Sequence, residues 1–143
     1  MKKRRLAREL SLQALYSLEL SGESADKVLA DILREAAPDP ETWSYAVRLT
    51  REVASRLPEL NDRIRKQCDN WELERVAVLD RNILRMAIAE ILWFDDIPPK
   101  VSIDEAIELA KKFSTEKSGT FINGILDPIA FSEKKENKTL ATP

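Results

Sequence analysis

The sequence has 143 residues, of which 43% are hydrophobic and 34% are charged, and its formal net charge is -2. These values are typical of one folded globular domain and exclude a disordered chain. With one cysteine, no histidine and three scattered glycines, the chain lacks the residues for an internal disulfide, a Cys/His zinc site, a histidine-dependent nucleophile or a glycine-rich phosphate loop. We therefore expect no metal, no cofactor and no enzymatic activity.

The apolar runs of the sequence are short. They reach only a few residues, whereas a membrane-spanning helix needs about 20. The chain also shows no charged start that leads into an apolar stretch and a cleavage site, which is the pattern of a secretory signal. We therefore expect a cytoplasmic protein without a membrane partner.

Apolar residues recur every three or four positions in nearly every segment, and strict apolar/polar alternation is not found. This periodicity predicts helices throughout. The first helix is expected from Arg4 to about Leu20, with Gly22 as its stop signal. Ser24 is a candidate N-cap for the second helix, which the proline-containing APDP segment ends.

A third helix is predicted to follow Pro40, and a fourth to begin near Pro58, because proline is favoured in the first turn of a helix. In the fourth helix Leu60, Ile64 and Cys68 are expected to face inward. The inward stripe predicted for the third helix comprises Trp43, Ala46, Val47, Thr50, Val53, Ala54 and Leu57.

The segment from about residue 78 to residue 94 is apolar on two sides, which is typical of a central helix. A turn at 95–100 follows, and the sequence Ser102-Ile-Asp-Glu105 predicts a capping box that opens the next helix. A last helix carries Ile122 and Ile125 and is expected to end near Phe131. We predict an all-α domain over residues 1–131, with about seven helices in two small bundles that share the central helix, and a flexible tail over 132–143.

The first eight residues, MKKRRLAR, hold five basic residues and no acidic one, whereas the rest of the chain carries 18 basic and 25 acidic residues. Cations at a helix N-terminus oppose the helix dipole, so this placement needs another explanation. A localised polyanion site on an acidic body supplies one, and the predominance of arginine from position 4 favours bidentate phosphate contacts. The alternative is a solvated basic end without a function.

A second candidate segment is EKSGTFINGILD, residues 116–127. Phe121 could stack on an unpaired base, and Asn123 could bond to a base edge. Gly124 inside an apolar helix indicates close helix packing.

Two other functions fit the sequence poorly. Asp95-Asp96 belongs to a proline-containing turn and Asp104-Glu105 to the predicted capping box, so neither carboxylate pair indicates acid/base catalysis. A DNA-binding helix-turn-helix is disfavoured because no helix after a tight turn combines basic and amide side chains along one face.

Four segments in this order, RRLARELSLQALY (4–16), VLDRNILRMAIAEI (78–91), VSIDEAIELAKKFS (101–114) and FINGILD (121–127), resemble the NusB family of transcription antitermination proteins. The resemblance spans nearly the whole chain and implies an all-α fold of two bundles. It also implies binding to the single-stranded boxA element of nascent ribosomal operon RNA, in a heterodimer with NusE, a small-subunit ribosomal protein. The pair would act within the RNA polymerase antitermination complex.

The resemblance also assigns site residues. It implies partner contacts by Asp80 and Tyr16 with NusE. The implied RNA contacts lie in the N-terminal basic segment and at the start of the last helix, at Lys2, Lys3, Arg4, Arg5, Arg8, Lys117, Phe121 and Asn123. The alternative is a helical protein-protein interaction module with no specific RNA role.

Overall fold

The computed structural model describes residues 2–68 and 72–141, with side chains described up to residue 133. Across these residues it contains seven α-helices, one short 3-10 turn at Leu73–Arg75 and no strand, which confirms the predicted all-α fold. No helix in the described part of the chain is long and apolar enough to cross a membrane. The helices are α1 (Lys2–Ser21), α2 (Ala25–Ala36), α3 (Pro40–Ser55), α4 (Leu57–Gln67), α5 (Val78–Trp93), α6 (Pro99–Phe113) and α7 (Glu116–Ala141).

The boundaries of the first three helices follow from local signals in the sequence. Gly22 follows α1 with a φ of 72°, a left-handed conformation that suits glycine. Ser24 caps α2 by accepting a hydrogen bond from the backbone N–H of Lys27, as predicted. Asp39 caps α3 through the backbone N–H groups of Glu41 and Thr42. These helix boundaries therefore match the capping and stop signals in the sequence.

The helices form two compact units that divide between Leu57 and Pro58. In the first unit α1 packs on both α2 and α3. Ser11 of α1 and Thr50 of α3 share a buried hydrogen bond of 2.8 Å, which satisfies both hydroxyl groups in the core. The surrounding core side chains of this unit include Ala7, Leu10, Leu12, Leu15, Leu29, Leu33, Ala46, Leu49 and Val53.

The inward face of α3 differs from the predicted stripe. Trp43, which we expected to face the core, is 41% exposed, whereas Tyr45 is 7% exposed. The difference arises from tertiary packing, because α3 packs on α1 and α2 with the face that carries Thr42 and Tyr45. This buried face continues through Ala46, Leu49, Thr50 and Val53. The Thr42 hydroxyl group also donates a 2.8 Å hydrogen bond to Asp39.

In the second unit α5 packs on α6 and α7. The prediction that α5 is buried on more than one side is confirmed, since every residue from Asn82 to Ile91 is buried. The burial of Leu60, Ile64 and Cys68 is also confirmed. The buried apolar side chains of α5 are Ile83, Leu84, Met86, Ala87, Ile88, Ala89 and Ile91.

The predicted capping box of α6 is wrong. With Ser102 as its N-cap the helix would begin at Ile103, but it begins at Pro99, because proline is well suited to the first turn. Ser102 therefore lies inside the helix, where its hydroxyl group donates a 2.8 Å hydrogen bond to the buried carboxylate of Glu90. Glu105 is itself buried, at 7% exposure. What looked like a local signal is a tertiary contact between α5 and α6.

The last helix is longer than the sequence pattern indicated. We expected it to end near Phe131, but α7 continues to Ala141. Residues 132–141 contain neither glycine nor proline and include several glutamate and lysine residues, which are good helix formers. The apolar periodicity ends at Phe131, but the helix continues without it to Ala141.

The contact between Ser102 and Glu90 can be tested by mutation. Ser102→Ala removes a donor from a buried carboxylate and is expected to lower the free energy of unfolding by about 1–3 kcal/mol, as measured by urea denaturation. The control is Ser55→Ala, whose exposed hydroxyl group bonds to the Glu52 carbonyl, with an expected change within about 0.5 kcal/mol. Equal effects of the two changes would contradict the tertiary role.

Candidate nucleic-acid interface

The five N-terminal cations lie together in the first two turns of α1, and we call them the basic cluster: Lys2, Lys3, Arg4, Arg5 and Arg8. Lys2, Lys3 and Arg5 are exposed, and Arg4 is half-buried. Arg8 is only 4% exposed. The structure thus places four of the predicted RNA contacts where a polyanion could reach them, and the fifth beneath the surface.

Tyr45 of α3 contacts two arginines of the basic cluster on α1. The guanidinium carbon of Arg4 lies 4.8 Å from the centre of the Tyr45 ring, and that of Arg8 lies 5.7 Å from it. Both distances are within the range of cation-π attraction. The ring is buried, so it forms a fixed support for Arg4. Arg8 is buried beside the same ring and packs against it.

Lys3 has acidic neighbours at the start of α3. Its ammonium group lies 3.1 Å from the carboxylate of Glu41 and 3.8 Å from that of Asp39. The hydrogen bond to Glu41, followed by the charge of Asp39, raises the pKa of Lys3 above its ordinary value. Asp39 and Glu41 are therefore counter-ions of the basic cluster, and a bound polyanion would compete with Glu41 for Lys3.

Asp39 serves both the helix cap and this charge arrangement. The backbone N–H of Thr42, and then its hydroxyl group, lower the pKa of Asp39 below 3.8, and nearby Lys3 adds to the effect. Each of these partners favours the ionised carboxylate.

Two polar residues beside the basic cluster were missed by the sequence analysis. Arg48 and Ser44 lie on α3 and line a depression of about 280 Å³. The signal was available, because Arg48 follows Tyr45 by three positions and so lies next to it on the same side of the helix. It was overlooked because Trp43 was assigned to the core instead of Tyr45. The depression is lined by Lys3, Arg4, Glu41, Ser44, Tyr45 and Arg48.

In the second unit the structure brings Asp80, Lys117 and Phe121 together around one depression of about 360 Å³, which we call the Asp80 depression. Asp80 is 8% exposed. One of its oxygens, Oδ2, accepts a 2.9 Å hydrogen bond from the Ser118 hydroxyl group. The other, Oδ1, has no hydrogen-bond partner among the described residues. The remaining lining residues are Arg75, Val76, Ala77 and Thr115.

Asn123 does not line the Asp80 depression. Two residues along an α-helix turn the side chain by about 200°, so Asn123 and Phe121 lie on nearly opposite faces of α7. Asn123 lines a separate depression of about 640 Å³ beside the start of α6. Tyr16 lies on α1 in the first unit and is 39% exposed.

The expected close packing at Gly124 is wrong. A Cβ atom added at this position would meet no atom within 4 Å. At Gly119 a Cβ would lie 3.5 Å from the side chain of Ile107 in α6, which is an ordinary van der Waals contact.

The described residues define a small all-α protein whose first helix carries a basic cluster and whose last helix borders a depression with a buried carboxylate. Comparison with known proteins identifies the family. The chain belongs to the NusB family, whose model matches residues 5–131.

Two relatives and two solved structures show the extent of the similarity. The chain is 44% identical over 138 residues to the transcription antitermination protein NusB of Chloroherpeton thalassium, and 45% identical over 130 residues to that of Salinibacter ruber. These alignments cover 96% and 90% of the chain. The chain spans 65% of the length of the first relative and 81% of the second.

Among solved structures, T. maritima NusB is 42% identical, with a TM-score of 0.83 and coverage of 89% of each chain. A structure of the antitermination factors NusB and NusE in complex with double-stranded RNA matches with 26% identity and a TM-score of 0.85. That alignment covers 92% of this chain and 98% of the other. The fold expected from the resemblance is thus confirmed.

The charge of Asp39 predicts a pH dependence of stability. Because the folded-state pKa is lowered, the ionised carboxylate stabilises the protein above about pH 3.8, and this contribution is lost as the pH falls through the folded-state pKa. Asp39→Asn keeps a capping oxygen but removes the charge. Urea denaturation over a pH series should show the wild type more stable near neutrality, with the difference disappearing in acid. A difference that does not change with pH would argue against this origin.

Proposed function

We propose that this protein is a transcription antitermination factor that binds the boxA element of nascent ribosomal operon RNA as a heterodimer with NusE. The observation that carries the proposal is the basic cluster, held at the start of α1 by the stacking of Arg4 and Arg8 on Tyr45. The names of the relatives support it, as does the likeness to a NusB and NusE complex with RNA. The protein contributes binding surfaces to the RNA polymerase antitermination complex and no catalytic step, and it works in the cytoplasm, where transcripts are made.

On the RNA side, Lys2, Lys3, Arg4 and Arg5 neutralise phosphates, because their side chains are at least partly accessible. Arg8 acts through Tyr45, since a side chain with 4% exposure cannot cover a phosphate without moving. It keeps the ring, and with it Arg4, in position. This role replaces the direct contact that the family resemblance implied for Arg8.

The second RNA contact is at the start of α7. Lys117 is exposed and Phe121 is half-buried at the edge of the Asp80 depression, an arrangement that suits a phosphate contact next to a stacked base. Asn123 belongs to the opposite side of the helix, so it would need a separate stretch of RNA.

The NusE side centres on Asp80. Its buried Oδ1 needs a donor, because an unsatisfied buried carboxylate oxygen is costly. A partner that inserts an N–H or O–H group into the Asp80 depression would supply it. Lys117 and Phe121 line the same depression, so RNA and NusE would approach each other there. Tyr16, exposed on α1, is the additional contact proposed for NusE.

The alternative function is a helical interaction module whose basic cluster binds nothing in particular. Salt dependence distinguishes the two functions, because each neutralised phosphate of single-stranded RNA contributes about -0.7 to the slope of log affinity against log salt. A module without an RNA role would show no such slope.

The basic cluster can be tested with a double change that leaves the buried Arg8 intact. Arg4→Ala with Arg5→Ala is expected to reduce the steepness of the salt slope by about 1.4, measured by fluorescence anisotropy with single-stranded boxA RNA and NusE. The matched control, Lys27→Ala with Arg34→Ala on α2, removes the same charge from exposed ion pairs and should leave the slope unchanged. Equal slopes for both variants would exclude the basic cluster as the RNA site.

The NusE contact can be tested with Asp80→Asn, which keeps the shape of the side chain and an acceptor for Ser118 but removes the charge. We expect weaker co-purification with NusE and an unchanged helical spectrum. When the single amide oxygen accepts from Ser118, an NH2 group occupies the other position, and that group cannot accept a hydrogen bond from NusE. The control is Asp62→Asn, an exposed residue of α4 that pairs with Arg65. Co-purification equal to that of the wild type would remove Asp80 from the interface.

A further inference from the structure

The depression between the starts of α1 and α3 includes residues of α3, Ser44 and Arg48, that have no role in the function proposed so far. Its lining combines Arg4 from α1 with Ser44 and Arg48 from α3, and buried Tyr45 forms part of its wall. We propose that this depression, which we call the α1–α3 niche, binds one phosphodiester group of the RNA, and that Arg48 contributes a contact to this group from α3. The inference rests on the proposed RNA function and adds α3 to the RNA surface.

The geometry of the niche suits an oxyanion with several acceptor oxygens. The guanidinium group of Arg4 is held 4.8 Å from the Tyr45 ring centre, which reduces the side-chain entropy that binding would otherwise cost. Arg48 approaches from the other helix, and guanidinium groups offer paired donors that match phosphate oxygens. The hydroxyl group of Ser44 provides a further donor at the same depression.

The charge of the niche favours a polymer of phosphates. Among the described residues that line the niche, Glu41 is the acidic one, and its carboxylate is paired with Lys3 at 3.1 Å. Beyond the niche the exposed Lys2 and Arg5 continue the positive surface along the first turns of α1. A chain with a negative charge on every unit can occupy the niche and this surface together, which a single small anion cannot do.

Glu41 is expected to oppose this binding. Its carboxylate competes with an incoming phosphate for Lys3 and repels it within the niche. The raised pKa of Lys3 reflects the same pairing with Glu41. Removal of the Glu41 charge should therefore strengthen RNA binding, which is the opposite sign to the effect at Arg48.

The experiment measures binding of single-stranded boxA RNA to the complete protein with NusE. Arg48→Gln is expected to weaken binding about fivefold near 0.1 M salt and to reduce the steepness of the salt slope by about 0.7, the value for one phosphate. Arg48→Lys should restore most of the affinity. The matched control is Arg51→Gln, an exposed residue of the same helix that pairs with Asp26 at 3.1 Å, and it should bind like the wild type. Glu41→Gln should bind more tightly.

Three outcomes would overturn the proposal. If Arg48→Gln and Arg51→Gln bind RNA equally while binding by the wild type depends on salt, the proposed role of the niche is wrong and the proposed RNA function stands. If the wild type does not bind RNA even with NusE, both are wrong. If a polyglutamate chain of equal charge competes as well as RNA does, the niche accepts any polyanion and the assignment to a phosphodiester fails.

Discussion

The stacking of Arg4 and Arg8 on the Tyr45 ring is the interaction on which the proposed RNA surface depends. A cluster of cations at a helix N-terminus opposes the helix dipole and repels itself, so it would be expected to fray. Tyr45 offsets this tendency by giving two guanidinium groups a fixed aromatic face. Asp39 and Glu41 add counter-charges beside Lys3. Asp39, the cap of α3, is thus also a counter-ion for the start of α1.

The second unit uses buried polar groups differently. The carboxylate of Glu90 is satisfied inside the unit by Ser102, which fixes α6 on α5. Asp80 lies at the start of the same helix, α5, but only one of its oxygens has a partner among the described residues. Both buried carboxylates therefore join α5 to a neighbouring helix, but Asp80 also keeps an oxygen without a partner among the described residues. This contrast explains why Asp80, and not Glu90, is the residue proposed to meet NusE.

Local sequence signals predicted some features correctly because their physics is local. Gly22, Ser24 and Pro40 act within a single turn of backbone, and the structure places each where it was expected. The capping box at Ser102 failed because the same residue types also serve tertiary hydrogen bonds, and sequence spacing does not separate the two uses. The end of α7 was misplaced because apolar periodicity reports burial, whereas a helix can continue without it.

The sequence by itself determined the all-α class, the order of the helices and the position of the basic cluster, because periodicity and charge are properties of neighbouring residues. Only the tertiary structure decided that Arg8 is buried while Arg4 stays accessible. It also decided that Arg48 lines the α1–α3 niche together with Arg4, and that Asn123 and Phe121 line different depressions. These facts depend on which face of each helix meets another helix. That choice is made by packing between residues far apart in the chain, such as Arg4 and Tyr45, which no local pattern encodes.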